Sequence, residues 1–184
     1  MPRAGVKLAD MPGRSQHGRA FTLVELLVVI AIIGLLVSIL YPALHTAMAL
    51  VRRARCQTNL HAVAVGMRMY LNESNEVMPV AAQMPSLRLT DDPPIAEVLG
   101  PLLSSPETLL CPADPDEKYF KSEGSSYEYQ SILGGRKVAD SFLTKRFGEH
   151  MTPVMNDYEP FHGQGGEPGA ANYLFANGRV GDLR

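Results

Sequence analysis

The feature that most constrains the fold of this 184-residue chain is an uncharged apolar run from Leu26 to Leu44. About twenty helical residues, rising 1.5 Å each, cross the ~30 Å hydrocarbon layer of a bilayer. A core helix of a soluble protein rarely needs so long an unbroken run, so the pattern predicts a transmembrane helix. One carboxylate, Glu25, stands directly before this run. An acid in a spanning helix costs about 2.5–3.5 kcal/mol at the bilayer centre and less near an end.

A secretory signal peptide is the alternative interpretation of the same region. Such a signal has a basic start, an apolar middle of about 7–15 residues and small residues at its cleavage site. Residues 47–49, Ala-Met-Ala, could serve as that site. The chain would then be a secreted or membrane-anchored extracytoplasmic binding protein. The length of the run and the preceding acid favour the membrane span.

The net negative charge of most of the chain disfavours nucleic acid as a partner. From Gln57 onward there are 10 Lys and Arg against 17 Asp and Glu, a net of −7. Affinity for nucleic acid comes largely from neutralised phosphates. We therefore expect no nucleic-acid partner.

Residues 18–26, Gly-Arg-Ala-Phe-Thr-Leu-Val-Glu-Leu, resemble the processing site of type IV pilins and of type II secretion pseudopilins. The resemblance implies that a prepilin peptidase removes a cytoplasmic leader, residues 1–20, by cutting between Ala20 and Phe21, and then methylates the new amino group. The residue before the cut is usually Gly in this family, and Ala is its nearest steric substitute. The resemblance also implies a single-pass protein of the bacterial inner membrane with its head outside the cytoplasm.

Three residues of the apolar segment have assembly roles by the same resemblance. Glu25, the fifth residue after the cut, pairs in the family with the terminal ammonium of a neighbouring subunit. Gly34 would allow close helix packing, and Pro42 falls where pilin helices characteristically kink. The implied partners are other pilin-like subunits, lipid, and an assembly platform with its ATPase. The resemblance does not distinguish a pilus, a secretion pseudopilus and a DNA-uptake fibre from one another. It also does not distinguish a major from a minor subunit.

The helix is predicted to continue to about Leu71. An apolar stripe recurs at spacings of four, three, four and three, which is typical of an amphipathic helix: Cys56, Leu60, Val63, Met67 and Tyr70. The predicted segments are a transmembrane helix (21–44), a stalk helix (45–71) and an α+β head (72–184). The expected fold is pilin-like, with the long helix packed on a small antiparallel sheet.

Four strands are predicted in the head, at residues 126–130, 153–156, 173–175 and 179–181. The pair Asn177-Gly178 between the last two favours a tight type I′ hairpin, in which both turn residues have positive φ. A Pro-rich stretch, residues 79–115, is predicted to wrap the helix as a loop with a short helix near 95–103.

The head has a second, weaker resemblance, carried by residues 55–60, 110–114 and 173–180. These residues resemble those of a large bacterial group in which a prepilin-type N-terminus is joined to a C-terminal domain. That domain is named for a pattern of His, nine intervening residues and Asp-Gly. Here fourteen residues separate His162 from Asn177, and Asn replaces Asp. This resemblance implies the architecture of the head but does not imply an activity for it.

Two cysteines in an extracytoplasmic head predict a disulfide between Cys56 and Cys111, with two buried thiols as the alternative. Zinc is disfavoured if both are paired. Major pseudopilins resemble one another in binding calcium through a loop near the C-terminus. Here Asp114, Asp116 and Glu117 place hard oxygens close together but lack the D-x-D-x-[DN]-G order, and Asp157 and Asp182 are separate candidates. No metal ligand is assigned. The sequence has no G-x-S-x-G, H-E-x-x-H or phosphate-loop motif, so we predict no enzyme, and an envelope enzyme using Asp or His is the weaker alternative.

Overall fold

The computed structural model describes residues 21–183. Its first element is α1, Leu23–Glu73, a continuous helix that contains Pro42. A boundary between two compact units falls after Ala43. The predicted leader, residues 1–20, lies outside the described residues.

The C-terminal half of α1 supplies one wall of the head's core. Six residues of this half are buried, and they follow the helical repeat: Cys56, Leu60, Val63, Gly66, Met67 and Leu71. The predicted stripe contained four of these, while its fifth member, Tyr70, is half-buried. The helix ends at Glu73 because Asn75 and Glu76 adopt positive φ values of 56° and 65°, which an α-helix cannot contain.

The segment after α1 returns over the helix through short helical turns. It includes α2, Ile95–Leu99, which continues as a 3₁₀ turn to Leu102. A Cβ on Gly66 would lie 2.7 Å from a methyl of Leu103, so a larger residue at this position would require the Leu103 side chain to shift. The predicted wrapping loop with a short helix near 95–103 therefore corresponds to this segment.

Besides short 3₁₀ turns, the remaining elements of the described chain are two short helices and four strands. The helices are α3, Lys118–Glu123, and α4, Phe142–Phe147. The strands are β1, Tyr127–Tyr129; β2, Pro153–Asp157; β3, Tyr173–Phe175; and β4, Val180–Gly181. They form one antiparallel sheet in the order β1-β2-β3-β4. The predicted α+β fold, a long N-terminal helix with a small antiparallel sheet, is confirmed.

The prediction of a type I′ turn between β3 and β4 is wrong. Gly178 has a φ of 84°, but Asn177 is not among the residues with positive φ. The N–H of Gly178 donates to the Phe175 carbonyl at 2.8 Å, and the N–H of Phe175 donates to the Arg179 carbonyl at 2.8 Å. These bonds enclose a three-residue loop in which glycine alone supplies the left-handed conformation. The Asn177 side chain instead accepts the N–H of Arg179 at 3.0 Å.

Cys56 and Cys111 form a disulfide across 55 residues, with their Cα atoms 4.9 Å apart. Both residues are fully buried. Cys56 lies on α1, and Cys111 follows the loop that returns over that helix. The bond therefore fixes the end of the loop to the helix at the centre of the core.

Replacing both cysteines with serine should lower the free energy of unfolding of the head by roughly 4 kcal/mol, because a 55-residue loop would no longer be closed in the unfolded chain. Denaturant unfolding of the full chain in detergent, followed by tyrosine fluorescence, measures this change. Alkylation of the unreduced, denatured chain should label no thiol. Two labelled thiols per chain would contradict the assignment.

Candidate functional site

The first turn of α1 contains a reciprocal capping arrangement between Thr22 and Glu25. The backbone N–H of Glu25 donates to Thr22 Oγ1 at 3.2 Å. In return, Glu25 Oε2 accepts the backbone N–H of Thr22 at 2.9 Å and its hydroxyl at 2.9 Å. This is a capping box, in which each side chain satisfies a backbone donor that the first turn leaves without a helical partner.

The capping box gives the Glu25 carboxylate a local role within its own chain. It accepts two hydrogen bonds there, and its charge lies at the end of the helix where the macrodipole favours an anion. The pattern Thr-x-x-Glu before an apolar run is a known sequence signal for this arrangement. This signal is present in the sequence, but the capping role of Glu25 was not predicted from it.

The other predicted assembly residues lie along the same segment. Phe21 precedes the helix and is 75% exposed. A Cβ on Gly34 would meet no atom within 4 Å, so this glycine leaves open space on the surface of its own chain. Pro42 lies inside α1. Ala20, the residue before the predicted cut, lies outside the described residues.

The surface of the first part of α1 is apolar and uncovered. All residues from 21 to 52 are exposed, including large aliphatic side chains such as Leu23, Ile30 and Leu36. Within the described part of the chain, α1 is the one helix long and apolar enough to cross a membrane. So large a continuous apolar surface requires lipid or protein to cover it.

Residues 16–41 match the family described as the prokaryotic N-terminal methylation motif. Comparison of the chain with curated proteins and with solved structures gives no match. The motif and the long apolar helix together fit a prepilin-type pilin or pseudopilin. They support a pilin-like protein that is processed by a prepilin peptidase, is anchored in a membrane and assembles with other pilin-like subunits. The motif suggests a structural subunit rather than an enzyme.

A second group of polar side chains is buried in the head beside the disulfide. His162 Nε2 lies 3.5 Å from Cys111 Sγ and 3.5 Å from Asp157 Oδ2. Asn172 fixes that oxygen, donating its backbone N–H at 2.7 Å and its side-chain amide at 3.2 Å. Gln57, on α1, donates to the Asn172 side-chain oxygen at 3.1 Å. The end of β2, the loop before β3 and α1 therefore meet at this group.

Burial shifts the pKa values of Asp157 and His162. It raises the pKa of Asp157 to about 7, although the hydrogen bonds from Asn172 and the charge of Arg53 act in the opposite direction. Burial also lowers the pKa of His162 to about 4, with a further contribution from the Arg53 charge. Each shift favours the neutral form of its group, so the contact between Asp157 and His162 is not a fully charged ion pair.

Two atoms of this region are left without hydrogen bonds. Within residues 21–183, the buried side-chain nitrogens and oxygens that have no hydrogen-bond partner are Arg53 Nε and Asp157 Oδ1. Asp157 itself is only 2% exposed. An unsatisfied oxygen on a buried carboxylate costs free energy.

The acids considered for calcium are used differently. Asp114 accepts the backbone N–H groups of Tyr119 and Phe120 and the hydroxyl of Ser126, so it caps the start of α3. Glu117 forms an exposed ion pair with Lys121. Asp157 is held by Asn172 in the buried polar group, far along the chain from Asp114. These carboxylates therefore have different hydrogen-bond and ion-pair partners.

Sequence reasoning identified His162 only through its resemblance to a motif, and it did not predict the partners of that side chain. Arg53, Asp157 and Asn172 are distant in sequence and follow no shared periodicity. No single-chain signal places them together, because their proximity results from the packing of the sheet against α1.

Proposed function

We propose that this chain is a structural subunit of a helical filament of the type II secretion or type IV pilus class. Before assembly it is stored in the bacterial inner membrane, with the segments at residues 21–44, 45–71 and 72–184 acting as membrane helix, stalk and extracytoplasmic head. A prepilin peptidase removes residues 1–20. An assembly platform and its ATPase then transfer the processed chain into the filament.

The exposed apolar surface of α1 is the observation that supports this proposal most strongly. Lipid covers residues 21–44 in the membrane, and neighbouring helices cover them in a filament. Exchanging lipid for another apolar helix changes hydrophobic burial little, so packing shape and polar contacts must supply the preference for assembly. Gly34 and Glu25 are the features of this segment that provide them.

Glu25 contributes a charge close to the end created by processing. A cut before Phe21 would place a positive amino group one residue from Thr22, whose backbone N–H already donates to Glu25 Oε2 at 2.9 Å. In a filament, the ammonium of a neighbouring subunit would neutralise this carboxylate. Because opposite charges attract strongly in a medium of low dielectric, such pairing stabilises one axial register of neighbouring subunits relative to the others.

The capping box makes it possible to separate the charge of Glu25 from its hydrogen bonds. Glutamine at position 25 still closes a capping box but carries no charge, whereas Thr22→Val removes the hydroxyl and keeps the carboxylate. Losing one partner of a buried ion pair costs about 3–5 kcal/mol, so Glu25→Gln should lower filament yield by roughly tenfold or more. Sheared-filament yield, normalised to the membrane-bound pool, measures this effect.

Thr22→Val is the matched control and should keep most of the filament yield, because a lost cap costs only about 0.5–2 kcal/mol. Both variants should insert in the membrane and lose residues 1–20 as the wild type does. Normal filament yield from Glu25→Gln would contradict the pairing.

The open space beside Gly34 provides an independent test of close helix packing. Gly34→Leu should leave the isolated chain unchanged, since no atom of the chain lies within 4 Å of the added Cβ. In a filament, the larger side chain would force neighbouring helices apart at a cost of about 1–3 kcal/mol, and yield should fall about tenfold. Gly34→Ala is the conservative control. Equal yields from the two variants would show that this face is not in contact.

The alternative, a secreted binding protein released by signal peptidase, has less support. Its candidate cleavage residues, Ala47 to Ala49, lie in the interior of α1, which continues without interruption to Glu73. Cleavage there would divide a single helix, whereas a cut before Phe21 leaves all of α1 in one product.

A further inference from the structure

The disulfide and His162 bring three potential metal ligands together in the core of the head. Within the described residues, the sulfur atoms of Cys56 and Cys111 and a ring nitrogen of His162 all lie within 4.8 Å of one another. Thiolate sulfur and imidazole nitrogen are the ligands that zinc prefers in proteins. In the oxidised chain the sulfurs are bonded to each other and cannot act as thiolates.

We propose that the dithiol form of this head binds one Zn²⁺ ion through Cys56, Cys111 and His162, so that metal binding and disulfide formation exclude each other. This inference does not depend on the filament role. The expectation that zinc is disfavoured applies to the oxidised chain, and the dithiol form is a different chemical state.

The distances around His162 suit a tetrahedral zinc site. Zinc bonds of about 2.0 Å to nitrogen and about 2.3 Å to sulfur place neighbouring ligand atoms about 3.3–3.8 Å apart. His162 Nε2 already lies 3.5 Å from Cys111 Sγ. Once the disulfide is reduced, the two sulfurs can no longer stay at bonding distance and must separate toward this spacing.

Asp157 is the nearest candidate for the fourth ligand. Its Oδ2 lies 3.5 Å from the same nitrogen of His162 that faces the sulfur, so the carboxylate is on the metal side of the ring. Its Oδ1 is buried and has no hydrogen-bond partner. Asn172 donates two hydrogen bonds to Oδ2, and Gln57 donates in turn to the Asn172 side-chain oxygen, so the carboxylate is oriented as outer-shell residues orient ligands in metal sites.

Zinc binding and disulfide formation are alternative reactions of the same two thiols. A newly made chain carries two thiols, and zinc binding releases their two protons. A low-molecular-weight disulfide can instead accept two electrons and two protons from the thiols, which forms the Cys56–Cys111 bond and releases two small thiols. In the reverse direction, a phosphine takes the oxygen of one water and becomes the phosphine oxide, and the two hydrogens of that water end on the two cysteine sulfurs.

Zinc binding by the full chain in detergent tests the proposal. The chain is reduced with a phosphine under mild denaturant, returned to native buffer and titrated with Zn²⁺ against a chromogenic chelator. We expect one ion per reduced chain, with at least 100-fold tighter binding than to the oxidised chain. Co²⁺ in the same site should give the visible bands of tetrahedral coordination and a thiolate charge-transfer band.

His162→Gln should weaken binding by more than the roughly 10- to 100-fold that the loss of an outer-shell partner costs. His61→Gln is the matched control, because His61 is exposed on α1, and it should bind as the wild type does. Circular dichroism of the oxidised variants checks their folding. The proposal is overturned if the reduced wild type binds no more tightly than the oxidised chain, or if His162→Gln binds as the wild type does.

Discussion

The structure depends on one helix that must be covered in two different ways. The C-terminal part of α1 is buried by the head, where Cys56, Leu60 and Val63 are fully enclosed. The N-terminal part carries apolar side chains that nothing in the described chain covers. Because water cannot solvate so much hydrocarbon surface favourably, this part requires lipid or other helices. Membrane anchoring meets that requirement with lipid, and the proposed filament would meet it with neighbouring helices.

The acid at the start of the apolar segment is tolerated because the local backbone uses it. Glu25 and Thr22 satisfy donors of the first helical turn for each other, which lowers the cost of placing a carboxylate there. The charge itself is not neutralised by these bonds. The proposed filament supplies a neighbouring ammonium for it, so capping and assembly use different properties of the same side chain.

The sequence predicted those parts of the fold that depend on local pattern. Periodicity located the buried face of α1 and alternation located β1, because both reflect one-sided burial of neighbouring residues. The Asn177-Gly178 pair between apolar runs located the hairpin of β3 and β4. The turn type at Asn177 was missed, since Asn-Gly also suits a longer loop in which only Gly178 has positive φ. The Thr-x-x-Glu pattern of the capping box was present in the sequence but was not recognised. The contacts of Asp157 with His162 and Asn172 could not be predicted, because they arise only when distant segments pack together.

Processing between Ala20 and Phe21 is the central claim, since it determines where the chain that enters a filament begins. Intact-mass and N-terminal sequence analysis of the protein, purified from the membranes of cells with a prepilin peptidase, tests it directly. We predict a chain that starts at Phe21 with a methylated amino group. A mature chain that retains residues 1–20, or one that starts near Leu50, would contradict it.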